Sequence, residues 1–217
     1  MIAVRNLLRH KAYSLINILG LAIGLGCAIL ILLYVQFEMS FDRFQENSDR
    51  IYRVVRETRT QDGSVTASGG TSGPLAPALL KDFPEVEAIT RFMSRESWVK
   101  IEDRGFDQWG YMVDQQFLDV FRFPLLLGET RTVLENPYSV VITESMAERF
   151  FAGEDPVGKV ITMDHVHVKG DFTVTGVALD PPDHSSIRFD FLVSPTSHEE
   201  VQRYLNNWQS TYFVRPF

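Results

Sequence analysis

Residues 12–37, AYSLINILGLAIGLGCAILILLYVQF, decide how the rest of the chain is read, because they form an almost unbroken apolar run that carries no charge. Crossing about 30 Å of hydrocarbon takes roughly 20 apolar residues at about 1.5 Å of rise each. Ile16–Tyr34 meets that length, so the run reads as a transmembrane helix. Three details separate it from a cleaved signal peptide. It is longer than a signal's apolar region, no small-x-small cleavage site follows it, and the next residues, FEMSFDRF, are bulky and charged. Cys27 would suit a lipoprotein signal, but Gly24 stands where such signals carry leucine, and AILILLYV continues the span past it.

Charge then sets the topology. Arg5, Arg9 and Lys11 precede the run, and Glu38, Asp42 and Glu46 follow it. By the positive-inside rule the N-terminus lies in the cytoplasm and the larger part, residues 38–217, lies on the far side. The chain carries a formal charge of -7, and with +3 in the first 37 residues the remainder holds -10. So acidic an exterior part is a poor nucleic-acid binder, since phosphate binding is driven by Lys and Arg. The single cysteine, Cys27, sits inside the span and excludes an intrachain disulfide. Roughly 180 residues are enough for a sizeable core without such a staple.

Within the span Gly20, Gly24 and Ala28 recur every four residues on one face, the small-xxx-small spacing that lets a second helix approach closely. Residues 1–11 form an amphipathic elbow, with Met1, Val4, Leu7 and Leu8 on one face and Arg5, Asn6, Arg9 and His10 on the other. These patterns divide the chain into a cytoplasmic elbow (1–11), a transmembrane helix (12–37) and an exterior domain (38–217).

The exterior part mixes short strands and helices. Ser40–Phe44 reads as a helical continuation and IYRVVRETR (51–59) as a strand. DGSVTASGGTSG (62–73) reads as a flexible break, and Pro74 opens a helix that stops before Pro84. Strands are expected at 86–93, 97–102 and 109–113, then a helix over 115–121. SVVIT (139–143) is a strand running into a helix over 144–151, capped by Thr143 and apolar along Met146, Ala147, Phe150 and Phe151. Further strands are expected at 158–163, 172–179 and 187–193, with PPDHSS (181–186) as a turn and a last helix over 197–205. The class is α+β: one N-terminal transmembrane helix followed by a mixed domain that lacks the strict βαβ rhythm of a parallel sheet.

Other residue patterns suggest chemistry and fail on spacing. EDPVGK (154–159) lacks the glycine spacing and GK[ST] ending of a phosphate loop. Asp183, His184 and Ser185 are successive, and three successive side chains do not converge as a hydrolase triad must. His165 and His167 share a strand face near Asp164 and Asp171, but no third ligand stands at a metal-site spacing. Trp98, Trp109 and Trp208 read as core or rim residues. No catalytic residue, metal or cofactor is expected.

Several stretches carry a family resemblance: RNLLRHKAYSLINILGLAIGLGCAILILLYVQFEMSFDRFQENSDRIYRV (5–54), DQQFLDVFRFPLLLGE (114–129), PYSVVITESMAERFFAGEDPVGKVI (137–161), FTVTGVALDPPDHSSIRFDFLVS (172–194) and NNWQSTYFV (206–214). Together they resemble permease subunits of the MacB/FtsX type of ABC transporter, whose exterior portion is the MacB-like periplasmic core domain. The resemblance implies a bacterial inner-membrane subunit that works with a separate cytoplasmic ABC ATPase, with other permease helices in a dimeric permease, and with a periplasmic adaptor. It implies efflux or release of substrate driven by periplasmic movements. Permeases of this type place their exterior domain before further membrane helices, and no second apolar run follows here, so the chain is expected to be an N-terminal portion of limited stability by itself. The competing expectation is a single-span anchored periplasmic sensor or interaction domain without transport.

Overall fold

The computed structural model describes residues 11–101, 104–165, 168–209 and 215–216. The chain divides into two units, one ending at Arg43 and the other beginning at Phe44. The first holds helix α1 (Lys11–Glu38), 28 residues long and without a buried residue. Among the described residues it is the one helix long and apolar enough to cross a membrane. The expected elbow, with Arg5 and Arg9, lies outside the described residues apart from Lys11. The expected helix at 40–44 is a run of turns instead, because Asp42 adopts a left-handed φ of 57° that an α-helix does not accommodate.

The second unit begins with a two-stranded hairpin, β1 (Arg56–Arg59) and β2 (Val65–Ser68), which among the described residues pair with each other alone. The glycine- and serine-rich stretch therefore does not simply break structure. It supplies a turn at Thr60–Ser64, with Gly63 at φ 84°, and the β-branched Val65 and Thr66 return as a strand. Only the last four residues of the strand expected at 51–59 find a partner. Helix α2 (Leu75–Asp82) follows, opened by Pro74 and stopped before Pro84 as expected.

The main sheet consists of β3 (Arg91–Ile101), β4 (Arg104–Val113), β5 (Leu125–Leu127), β6 (Ser139–Thr143), β7 (Val160–His165), β8 (Val168–Ala178), β9 (Phe191–Val193) and β10 (Arg215–Pro216). Six of these close a ring: β3 pairs β4, β4 pairs β9, β9 pairs β6, β6 pairs β8, β8 pairs β7, and β7 returns to β3. The β4–β9 and β6–β8 ladders are parallel and the others antiparallel. Such a mixture is the observed form of the α+β class.

Period-2 alternation explains the two cores. Met93, Met112, Val140, Ile142, Phe191 and Val193 face the interior of the ring. Their neighbours Phe92, Tyr111, Val113, Val141 and Leu192 face a second core on the other side, covered by α3 (Phe117–Phe121) and by Phe123, Val133 and Leu134. Central β6 is buried along its whole length, as an apolar run between two partners requires. Helix α4 (Glu144–Phe151) adds Met146, Phe150 and Phe151 to the inner core, and α5 (Glu199–Leu205) adds Val201 and Leu205. Thr143 caps α4, its hydroxyl accepting the Met146 N–H at 3.3 Å, a contact worth about 1 kcal/mol.

Several strand boundaries depart from expectation: β4 starts at Arg104 and not at 109, because its ladder with β3 runs on to Ile101, and β7 spans Val160–His165 where 158–163 is expected. The strands expected at 86–93 and 97–102 are a single strand, Arg91–Ile101, which begins after residues 86–90 and does not break at polar Ser94–Glu96, since these continue the β3 ladder opposite Tyr111, Gly110 and Trp109. β8 starts at Val168, before the expected 172. β9 holds only Phe191–Val193, because Asp190 leaves the ladder to bond the Trp109 backbone.

Candidate functional site

Two features have the form of interaction surfaces. The first is α1. Gly20, Gly24 and Ala28 lie on one of its faces, and a side chain added at either glycine would meet nothing within 4 Å, so the face is open. Lys11 stands exposed at its N-terminal end, the only one of the three flanking cations among the described residues.

The second is a groove of about 480 Å³ in the other unit. Its walls come from residues 47–54, the end of α2, the 85–89 loop and α3, with Ile51, Val54, Leu79, Val86 and Val120 as its apolar surface. Ion pairs Arg50–Glu87 and Arg122–Glu46, the latter at 2.9 Å, lie at its rim. Both are well exposed, so each contributes at most about 1 kcal/mol.

A better-shielded fork holds the framework. Arg91 reaches Asp114 through Nε at 2.8 Å and through a terminal nitrogen at 2.9 Å, and its backbone N–H adds a third bond at 2.9 Å. Its remaining nitrogen donates to the Gly73 carbonyl at 2.8 Å. One side chain thereby ties the start of β3, the end of β4 and the end of the glycine-rich stretch. Gly73 itself packs against the Leu205 backbone, where a Cβ would stand 2.4 Å from an oxygen.

Inside the ring the alternation places polar groups among the apolar ones. Ser97 and Gln108, cross-strand partners, are buried, and Arg95 is partly buried on the same face. Arg95 Nε and Ser97 Oγ have no hydrogen-bond partner among the described residues. Burial lowers the proton affinity of the Arg95 guanidinium. Sequence reading missed this strip, because Arg95 reads as a surface residue until the register of β3 is known.

The remaining candidates occupy structural positions. Asp183–Ser185 form a turn in which the Ser185 hydroxyl donates to the Ile187 carbonyl at 2.8 Å and the His184 ring meets Phe44 edge-on at 5.7 Å. Asp183 lies beside Arg188 instead. Left-handed Ala152 and Gly153 end α4 just before EDPVGK, and within it Gly158 at φ 84° donates its N–H to the Val174 carbonyl ahead of β7. His165 closes β7, while His167 lies outside the described residues. Among the described residues no three His, Cys, Asp or Glu gather as metal ligands. The three tryptophans stand out of the core: Trp98 is 46 %, Trp109 44 % and Trp208 58 % exposed. On β3 and β4 the reason is parity, since Val99 and Ser97 take the inner face.

The comparisons with known proteins agree with this architecture. The sequence profile of the MacB-like periplasmic core domain matches residues 14–216, from within α1 to the last described strand. No curated protein sequence matches. Among solved structures, a domain of a protein from Porphyromonas gingivalis assigned as a permease is 28 % identical, with a TM-score of 0.69 over 79 % of this chain and 73 % of that one. The periplasmic region of MacB from Actinobacillus actinomycetemcomitans is 21 % identical, with a TM-score of 0.51 over 67 % of this chain and 63 % of that one. The extracellular domain of the noncanonical ABC-type transporter YknZ from Gram-positive bacteria is 12 % identical, with a TM-score of 0.53 over 75 % and 80 %. The last two likenesses are of fold. The chain belongs to the MacB-like periplasmic core domain family of ABC transporter permeases.

Proposed function

With that membership as the premise, we propose that the chain acts as part of a permease subunit of a MacB-like ABC transporter. In this reading α1 crosses the inner membrane with its N-terminus in the cytoplasm and the second unit in the periplasm. A separate cytoplasmic ABC ATPase supplies the energy. The chain binds and moves but does no covalent chemistry of its own, and the periplasmic unit changes position to export or release a substrate, in contact with other permease helices and an adaptor.

The observation that carries this reading is the continuity of the family match, which starts inside an apolar helix and runs through the whole ring domain. Two physical features support it. Leu25–Phe37 contains no proline, and its only glycine is Gly26, so the helix leaves the membrane stiff enough to transmit displacement. The Gly20, Gly24 and Ala28 face suits close packing by a second helix.

Co-expression with a cognate ABC ATPase tests the reading. The full chain should co-purify with that ATPase and the remaining permease helices, and ATP hydrolysis should rise in the assembly. Recovery of the chain alone, with hydrolysis unchanged, would favour the single-span sensor reading.

A further inference from the structure

The outer face of β3, β4 and β7 carries a pattern that transport does not explain. Trp98 on β3 stands directly opposite Asp107 on β4 and directly opposite Asp164 on β7. Trp109 on β4 stands opposite Glu96 on β3. Directly paired residues project to the same side of a sheet, so two indoles and three carboxylates share one exposed surface. Gly105 makes room for Trp98: a Cβ there would lie 2.6 Å from the indole ring, so the ring sits close against bare backbone and still leaves much of its surface exposed. Trp109 is held from behind, its backbone N–H donating to Asp190 at 2.8 Å and its carbonyl accepting the Asp190 N–H at 2.6 Å.

From this we infer that the β3–β4–β7 outer face is a docking surface for an extended, arginine- or lysine-bearing segment of a partner protein. Charge complementarity selects that occupant. An indole face is the negative pole of the ring quadrupole and attracts a guanidinium or ammonium. Among the described residues neither Glu96 nor Asp107 has an ion-pair partner, whereas Asp164 is engaged by Lys169 at 3.1 Å. Lys100, two residues beyond Trp98, is the one cation beside the rings on β3 and marks where the acidic row ends. An apolar partner would bury Glu96 and Asp107 without compensation, which costs more than the rings return. A basic segment satisfies both kinds of group at once, with cation–π contact to the rings and charge-assisted hydrogen bonds to the carboxylates. The inference does not depend on coupling to an ATPase.

The test uses the full chain in detergent and a fluorescently labelled (Arg-Ser)4 peptide, with (Glu-Ser)4 and chitotriose as alternatives, read by anisotropy or displacement. Binding of the arginine peptide is expected to weaken roughly fivefold in Trp98→Ala. Gly105→Val, which pushes the ring off its seat, should weaken it similarly, and Trp98→Phe should stay within about twofold of the parent. Glu96→Gln with Asp107→Asn should weaken binding and flatten its salt dependence. Thermal melting checks that each variant is folded, and the exposure of Glu96, Trp98 and Asp107 predicts unchanged melting for their variants, while the half-buried Gly105 variant is read only where its melt shows it folded. Equal affinity in parent, Trp98→Ala and Glu96→Gln/Asp107→Asn would overturn the proposal, since mere attraction to an acidic domain behaves that way. Tighter binding of chitotriose or (Glu-Ser)4, or no arginine-peptide binding tighter than about 1 mM, would overturn it too.

Discussion

Helix α1 and the strand ring are both rich in apolar residues and glycine, yet they use them in opposite ways. In the ring, Phe172, Phe191, Val140 and Ile142 have no exposed surface, whereas no residue of α1 is buried. The glycines repeat the contrast. A Cβ at Gly110 would stand 2.2 Å from the Phe191 carbonyl oxygen, and one at Gly176 would stand 2.9 Å from the Leu127 oxygen. At Gly20, Gly24 and Gly26 the surrounding space is empty. Ring glycines are spent on close approaches within the domain. Those of α1 have no such use inside the described chain, and under the proposed function their neighbours are lipid and other helices.

The sharpest way to break the comparison is to cut into the ring. Phe191 fills the space over Gly110, so Phe191→Ala removes a buried ring and leaves a cavity, at an expected cost of about 3–5 kcal/mol. Denaturant unfolding followed by circular dichroism should show the midpoint falling sharply. A shift below about 1 kcal/mol would mean that the inner core is not close-packed there. The Arg91–Asp114 fork comes next. Asp114→Ala strands a guanidinium that is largely shielded, and about 2 kcal/mol is expected to be lost. If that variant melts like the parent, the fork does not hold the 73, 91 and 114 segments together.

How much of this was legible in the sequence follows from how local each signal is. Thr143 as a cap, the SVVIT strand and the Met146, Phe150 and Phe151 face of α4 are written within a dozen residues, and all three are found. Ring closure is not written locally. It depends on Trp98–Lys100 meeting Thr162–Asp164, more than sixty residues away, and on a β3 whose polar Ser94–Glu96 reads as a break. The exposure of Trp98 and Trp109 hangs on register as well, because a slip of one residue exchanges the faces of a strand. Of the candidate site, the Gly20, Gly24 and Ala28 spacing was visible because a helix has a fixed period. The paired carboxylates around Trp98 were not, since β3, β4 and β7 must first be aligned.

A smaller effect belongs to the β1–β2 hairpin, which pairs with no other strand among the described residues. Its turn is built on Asp62, whose carboxylate accepts from the Thr60 hydroxyl, the Ser64 N–H and the Ser64 hydroxyl, and these bonds lower its pKa to about 2. Because the folded value is depressed, the stabilisation of the turn is fully present above the unfolded carboxylate value near 4 and is lost as the pH falls through about 2. NMR titration should show the Ser64 amide losing its hydrogen-bonded shift in that window while β6 amides stay unchanged. A midpoint near 4 would remove the turn from the account.

The smallest expected change in stability comes from the substitution that matters most for the proposed role. For Gly20→Leu with Gly24→Leu the added Cβ atoms have open space, and leucine is the better helix former, so the second unit should melt as before. What should change is association. Two leucines on the small-residue face hold a neighbouring helix away, and the loss of backbone contact there should reduce co-purification with the other permease helices and the ATPase response of the assembly. Unchanged cross-linking and unchanged ATPase stimulation, beside an unchanged melt, would show that the open glycines of α1 serve lipid alone. The contrast with the ring would then be one of solvent and not of partnership.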